Sequence, residues 1–333
     1  MNSKRFSVAH EIITVPVGNV LVTSVSRKAP LVQAMKTALK RISKEAQVIA
    51  GDIDPDAPAQ HVADAFWIMP RLTSKVLPDL IQGCRERGIS VILPSRDGEL
   101  PFWAHHRKKF AEAGIAILVS EEKSVNLCLD KLEFAKFGKT AHLSVINAAK
   151  KPGHVGTGPY VVKERFGAGS KKIGLSLSLD EALAHAKTLK NPIYQPHITG
   201  PEISIDGWVN QHGVVIGVVL RRRDRIIAGE SQVTTTFRDE KLEREASLIL
   251  KQYNLRGPVV MQAIISNNTM HMIECNPRFG GASTTSIAAG LDSLYWSLIE
   301  VFGQDKPTVF KRTADNVKQV RLPVDMVFYD TDI

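Results

Sequence analysis

Through the first third of the chain, short apolar runs alternate with longer stretches of helical periodicity. Asn19 to Thr23 (NVLVT) reads as a buried strand, and Leu31 to Lys44 places its apolar residues at helical spacing. A second strand, Gln47 to Ala50, ends in Gly51–Asp52. A helix over Lys75 to Arg87 leads into a third strand, Ile89 to Leu93. Phe102 to Ala113 is another helix and Ile115 to Val119 another strand. Strands alternating with helices predict a parallel sheet with right-handed crossovers. Ligands of such sheets collect at the carboxyl ends of the strands.

The pattern then changes. Tyr160 to Lys163 and Ile193 to Gln195 are short strands, and Ile203 to Val209 and Val214 to Leu220 follow as strands of an antiparallel sheet. Arg221-Arg222-Arg223-Asp224-Arg225 interrupts before Ile226–Ile227. A helix spans roughly Asp239 to Tyr253. Val259 to Ile265, the turn Ser266 to Asn268 and Thr269 to Ile273 make a β-hairpin. Thr284 to Phe302 reads as one last helix, with a core stripe of Ile287, Leu291, Leu294 and Leu298. The expected fold class is therefore α/β followed by α+β.

Composition narrows the function. A chain of 333 residues with 44% hydrophobic positions is too long for one core, so two or three domains are expected. The net charge of +9 favours anionic ligands. The positive charges are spread out, with no basic helix and no aromatics interleaved with Lys or Arg, so nucleic acid is not the expected partner. Cys84, Cys128 and Cys275 are far apart and odd in number, against a disulfide framework and against a zinc site. The histidines form no HExxH and no ligand-spaced cluster. Met1 to Gly18 carries Lys4, Arg5 and Glu11 and makes a poor signal peptide, and no apolar run reaches membrane-spanning length. A cytoplasmic location is expected. The first βα turn, Thr23 to Pro30, has no glycine, which disfavours a dinucleotide-binding site.

The candidate chemistry centres on MHMIECNPRFGGAS, Met270 to Ser283. Residues two apart on a strand point the same way, so Glu274 and Asn276 can present two hard oxygen ligands to one point. Gln262, on the other strand of the hairpin, can approach the same metal. Arg278 beside them suits a transferring phosphoryl group or an acyl phosphate. An ordinary core strand running into a turn is the alternative. Lys163 at a strand end, followed by Gly167, Gly169 and Ser170, makes either a phosphate cradle or a flexible hairpin turn. Asp130 stands at a helix start with Lys131 next to it. The segment Gln195 to Glu202 can bind adenine through backbone groups, with a carboxylate for ribose. Asp97 and Glu99 either face a substrate or cap the next helix. Arg221 and Arg223 share a face if their strand continues, and otherwise form a solvated hairpin tip.

In this order the segments resemble the ATP-grasp superfamily, and within it single-module proteins similar to the carbamoyl-phosphate synthase large subunit. The matching pieces are DKLEF (Asp130 to Phe134), PYVVKERFGAGSKKIG (Pro159 to Gly174), YQPHITGPEISIDG (Tyr194 to Gly207), GPVVMQAI (Gly257 to Ile264) and MIECNPRFGGAS (Met272 to Ser283). The resemblance implies an N-terminal extension over 1–18 and a Rossmann-like pre-ATP-grasp domain over 19–124. Two ATP-grasp subdomains would follow, over 125–198 and 199–333. It implies that ATP binds at Lys131, Lys163, Gly167, Ala168, Gly169, Ser170, Gln195, His197, Ile198 and Glu202. Gln262, Glu274 and Asn276 would surround Mg2+, with Mn2+ as a substitute, and Lys163 and Arg278 would be catalytic. Gln195 stands where many relatives have glutamate. Pro196 lacks a hinge N–H, and Glu164 replaces a frequent proline.

The implied chemistry is a Mg-dependent, ADP-forming carboxylate–amine ligation through an acyl phosphate, with small-molecule partners and a homodimer as the implied assembly. Two alternatives stay open: phosphorylation of bicarbonate or carbamate, and a nucleotide-binding protein without turnover. Specificity is expected in Pro94 to Glu99, Arg221 to Glu230 and Phe279 to Ser283, with Asp97, Glu99, Arg221 and Arg223 as substrate residues.

Overall fold

The computed structural model describes residues 13–167, 169 and 172–329. Most of the N-terminal extension, including Lys4, Arg5 and Glu11, lies outside the described residues. The chain opens as β1 (Asn19–Thr23), α1 (Ala29–Lys40), β2 (Val48–Asp52), β3 (Ala65–Ile68), α2 (Leu77–Glu86), β4 (Ile89–Pro94), α3 (Leu100–Glu112) and β5 (Ala116–Ile117). All pairings are parallel, in the order β3-β2-β1-β4-β5. Every residue of β2 and β4 is buried, as a sheet covered on both faces requires. Leu80, Trp103 and Phe110 of α2 and α3 cover one face. Val32, Met35 and Leu39 of α1 cover the other. The apolar run predicted over Ile115 to Val119 contributes only two residues to the ladder. β3 is half exposed, so its AFWI sequence carries no buried-strand pattern.

Two helices, α4 (Glu122–Leu129) and α5 (Lys131–Thr140), lead to a small antiparallel sheet of β6 (Tyr160–Glu164), β7 (Gly174–Leu177) and β8 (Pro192–Pro196), ordered β7-β6-β8, with α6 (Leu179–Ala186) packed on it. The larger sheet follows, from β9 (Glu202–Val209), β10 (Val215–Ile227) and β11 (Glu230–Phe237), then α7 (Glu240–Gln252), β12 (Gly257–Ser266) and β13 (Thr269–Asn276). Helices α8 (Thr284–Ala288) and α9 (Ser293–Val301) and the short strand β14 (Lys318–Val320) close it, in the order β13-β12-β9-β10-β11-β14.

Two expectations are corrected here. The arginine run does not interrupt its strand, because β10 continues to Ile227 with register shifts between Arg222 and Ile226. The last helix is two, broken at Gly290, whose φ of +103° no helix accommodates. A Cβ at Gly290 would stand 2.2 Å from the Lys311 carbonyl oxygen, so the later chain occupies the space a continuous helix would need. The predicted stripe is core, but it serves two cores. Leu294 and Leu298 join the core around α1, while Leu291 packs with Trp208, Val219 and Trp296 on the larger sheet. Helix α9 is thus the seam between the parallel sheet and the antiparallel one.

Candidate active site

The hairpin register sets the centre of the site. Gln262 on β12 lies directly opposite Glu274 on β13, with Ser204 of β9 on its other side. Asn276 shares the face of Glu274, and its Nδ2 donates to Glu274 Oε1 at 3.3 Å. The Nζ of Lys131 lies 4.0 Å from Glu274 Oε2 and donates to the Gly167 carbonyl at 2.5 Å. That lysine is the first residue of α5, and its position is fixed from below. Asp130 Oδ1 accepts from the N–H groups of Leu132 and Glu133, and the Arg165 guanidinium grips the same carboxylate at 2.7 and 2.5 Å. Burial raises the Asp130 carboxyl, but the Arg165 hydrogen bond and the two helix N–H groups outweigh it and hold it below its usual range. The strand end bearing Lys163 and the helix end bearing Lys131 are therefore tied together.

Lys163 is 4% exposed. Burial pulls it down to about 8, against the attraction of Glu274 and, more weakly, Glu202, and with added repulsion from Lys131. A buried ammonium with a second ammonium beside it is a place where a bound anion relieves repulsion. Among the described residues no group of three or more His, Cys, Asp or Glu is placed to hold a metal ion by itself. The oxygen donors at Glu274 are one carboxylate and the amides of Gln262 and Asn276. Such a set fits Mg2+ shared with phosphates, which bring most of the negative charge themselves.

A second group of residues faces this centre from the parallel sheet. Strand order reverses between β1 and β4, and the crevice outside their carboxyl ends is the ligand position of open α/β sheets. Asp97 stands at the β4 end and binds Arg278 in a bidentate pair, at 2.7 and 2.5 Å. The pair joins the two sheets across the site, each side chain partly open to solvent. Lys28, which pattern reading missed, fills the crevice floor. Its Nζ donates to the carbonyls of Ser24 and Ser95 and to Ser95 Oγ, each at 2.9 Å, stapling the two strand ends together. Burial and then the nearby Arg278 pull Lys28 down to about 8, while Glu99 and Asp97 oppose the shift. Ser24 and Ser26 hold φ of +51° and +42°, a left-handed conformation that non-glycine residues keep only where surroundings enforce it. The one signal available in the sequence was the Arg27–Lys28 pair in the turn between the first strand and the first helix.

Several expected substrate contacts are committed to the fold. Glu99 is 2% exposed and accepts from Ser95 N, Arg96 N, Thr23 Oγ1 and Trp103 Nε1, so both its oxygens are occupied. Of its two readings, the capping one describes its surroundings. Arg221 is 2% exposed and bound to the equally buried Asp206, at 2.5 and 3.3 Å, and so does not face a ligand. Asp206 also accepts from Ser283 and Ser286, and Ser283 Oγ in turn accepts from Gly280 N at 3.0 Å. This network, which no motif announced, supports the turn after Arg278 from beneath. Gln319 and Arg321 hold the same turn from outside, through Thr284 and the Gly281 carbonyl. Arg223 grips Glu202, Ser231 and the Gly229 carbonyl. Glu202 is thereby oriented at the start of β9. Gln195 is buried and directs its Nε2 to the Ile146 carbonyl at 3.4 Å. The His197 N–H is taken by the Pro159 carbonyl at 2.9 Å, and Ile198 is half-buried between β8 and β9. Gly169 has a φ of +79°, while Ala168 and Ser170 lie outside the described residues.

Comparison with known proteins bears on this arrangement. Residues 20–118 match a family model described as the PylC-like N-terminal domain. Residues 188–322 match one described as ATP-grasp in the biosynthetic pathway with Ter operon. No curated protein matches the chain. Among solved structures, the biotin carboxylase domain of Hydrogenobacter thermophilus 2-oxoglutarate carboxylase is similar at a TM-score of 0.70 and 17% identity, over 88% of this chain and 71% of that one. That protein is in complex with MgADP, ADP and bicarbonate. The N5-carboxyaminoimidazole synthetase of Staphylococcus aureus, complexed with ADP, is similar at 0.70 and 17%, over 92% and 82%. The phosphoribosylglycinamide synthetase of Anaerococcus prevotii is similar at 0.65 and 17%, over 90% and 79%. At these identities the likeness is one of fold. Among the described residues no helix is long and apolar enough to cross a membrane.

Proposed function

We propose that this chain, whose residues 188–322 match an ATP-grasp family model and whose fold is that of ATP-grasp enzymes, is an ADP-forming ligase joining a carboxylic acid to an amine through an acyl phosphate. The observation that carries this reading is the convergence of Lys131, Lys163 and Glu274 on one point, with Arg278 held at the mouth of the β1–β4 crevice by Asp97. Lys131 and Lys163 hold the phosphates of ATP, beside the backbone of Gly167 and Gly169. Gln262, Glu274 and Asn276 hold Mg2+, which when bound neutralises phosphate charge during transfer.

The acid substrate lies in the crevice, under the combined field of Lys28 and Arg278. Its carboxylate oxygen forms a bond to the γ-phosphorus as the bond from that phosphorus to the ADP oxygen breaks. Arg278 neutralises the charge that accumulates on the transferred group. An amine nitrogen then attacks the acyl carbon, loses a proton, and inorganic phosphate departs. Positioning and charge neutralisation suffice for both steps, and no nucleophile from the chain takes part.

The test is ADP release from Mg·ATP against a panel of amino acids, small dicarboxylates and bicarbonate, each with and without an amine, with Glu274→Ala as control. Turnover that requires one acid and one amine and vanishes in the variant supports the proposal. Turnover with bicarbonate and ammonia alone moves the assignment to carbamoyl-phosphate-type chemistry. Nucleotide binding with no turnover on any acid overturns the ligase reading.

A further inference from the structure

Outside the site, a cleft of about 470 Å³ lies between α5 and the turn at 147–154. Its floor is apolar, made by Leu132 and Ala148, which belong to a small buried cluster with Ala135 and Ile193. Its walls are basic. Lys136 and Lys139 project from the face of α5 that carries Leu132, because positions four and seven apart share a helix face. Lys150 and His154 stand opposite. Among the described residues only Lys136 of these three lysines has a carboxylate partner, Glu133 at 2.8 Å. Unbalanced ammonium groups around one concave surface repel one another, and an anion relieves that repulsion. A volume of this size over an apolar floor admits more than a bare ion.

The cleft shares its walls with the nucleotide site. The helix that carries Lys136 and Lys139 begins at Lys131. On the other side, Ala149 exchanges both backbone hydrogen bonds with Tyr194, at 3.0 and 2.8 Å, and Gln195 of the same strand bonds the Ile146 carbonyl. A ligand wedged between α5 and the 147–154 turn therefore bears on both Lys131 and the strand leading to His197 and Ile198.

We propose that this cleft binds a small organic phosphate, its phosphate among Lys136, Lys139 and Lys150 and its apolar part on Leu132 and Ala148, as an effector of the nucleotide site. The effector role rests on the nucleotide reading above; the anion site does not.

The test is calorimetric titration of the full chain with phenyl phosphate, with and without saturating Mg·ADP. One molecule is expected to bind whether or not Mg·ADP is present. The Lys139→Gln/Lys150→Gln double variant should weaken binding at least about tenfold, the change that loss of two charge-assisted contacts brings. Lys163→Gln should leave it unchanged. The variant lysines are exposed, so loss of folding does not confuse the result. Affinity indifferent to the double variant overturns the site, and so does binding abolished by Lys163→Gln, which would place the phosphate among the nucleotide contacts. An Mg·ADP affinity unchanged by phenyl phosphate overturns the effector role alone.

Discussion

At the residue scale, the distribution of charge decides what each ionisable group can do. Glu274 is the carboxylate nearest Lys131, while Glu99 is fully engaged by its four donors. Replacing Arg278 with Lys keeps the charge but loses the bidentate pair with Asp97. We expect kcat for ADP release to fall by about 10²-fold, with the ATP Michaelis constant nearly unchanged, because this group acts on charge that develops during transfer. Lys163 makes a different prediction. Its ammonium is pulled down to about 8, so nucleotide affinity should hold at lower pH and decline as pH rises through that value. Lys163→Arg, which stays protonated, should remove the inflection in a pH series of Mg·ADP titrations. Stability has the opposite slope. The unfolded chain holds these lysine protons up to 10.5 while the folded one releases them from about 8, so unfolding free energy contributed by Lys28 and Lys163 rises with pH across that window. Urea midpoints measured across it check the sign.

At the scale of elements, packing assigns the strands and breaks the helices. A solvated tip is one of two readings of the β10 arginines in sequence, yet Arg221 is a core residue because Asp206, two positions along β9 from its direct partner Ser204, reaches it diagonally. Removing one member of a buried ion pair strands the other, which costs about 3–5 kcal/mol. Arg221→Ala should lower stability by that order in chemical unfolding and loosen the turn that Ser283 and Ser286 hold on Asp206. Asp206→Asn combined with Arg221→Met leaves no uncompensated charge and should recover part of the loss. Gly290→Ala places a methyl against the Lys311 carbonyl and forces a positive φ on alanine. A fall in thermal midpoint corresponding to about 1–3 kcal/mol is expected.

At the scale of the whole molecule, the site exists because two sheets are held at a fixed separation. Helix α9 contributes to both cores, and Asp97–Arg278 bridges the same boundary at the site. Asp97→Asn keeps the shape but removes the charge that orients Arg278. The expected result is a fall in kcat of about tenfold or more together with weakened acid-substrate saturation, at an unchanged thermal midpoint, since the seam of α9 remains. A midpoint that falls in step with kcat would mean that the pair serves the fold rather than the site.

Much was legible from the chain alone, for local reasons. Alternating apolar runs and helical stretches specify a parallel sheet and then an antiparallel one, because periodicity reports which side chains must be buried. The spacing of Glu274 and Asn276 places both on one face of a strand whatever surrounds it. The order of the lysine, glycine and IECNPR segments points to the ATP-grasp fold, and the arrangement of sheets agrees. Tertiary structure alone decided which charges are free. Sequence leaves Arg221 open between a shared strand face and a solvated tip because it does not print partners, and its partner Asp206 lies on another strand. Glu99 keeps a capping reading beside the substrate one, and its Ser95, Arg96 and Trp103 donors are local. Lys28 went unseen for the converse reason, since its importance comes from Ser24 and Ser95, which only the β1–β4 pairing brings to it. Contacts between residues distant in sequence carry the electrostatics of this site, and they come into being only when the sheets close.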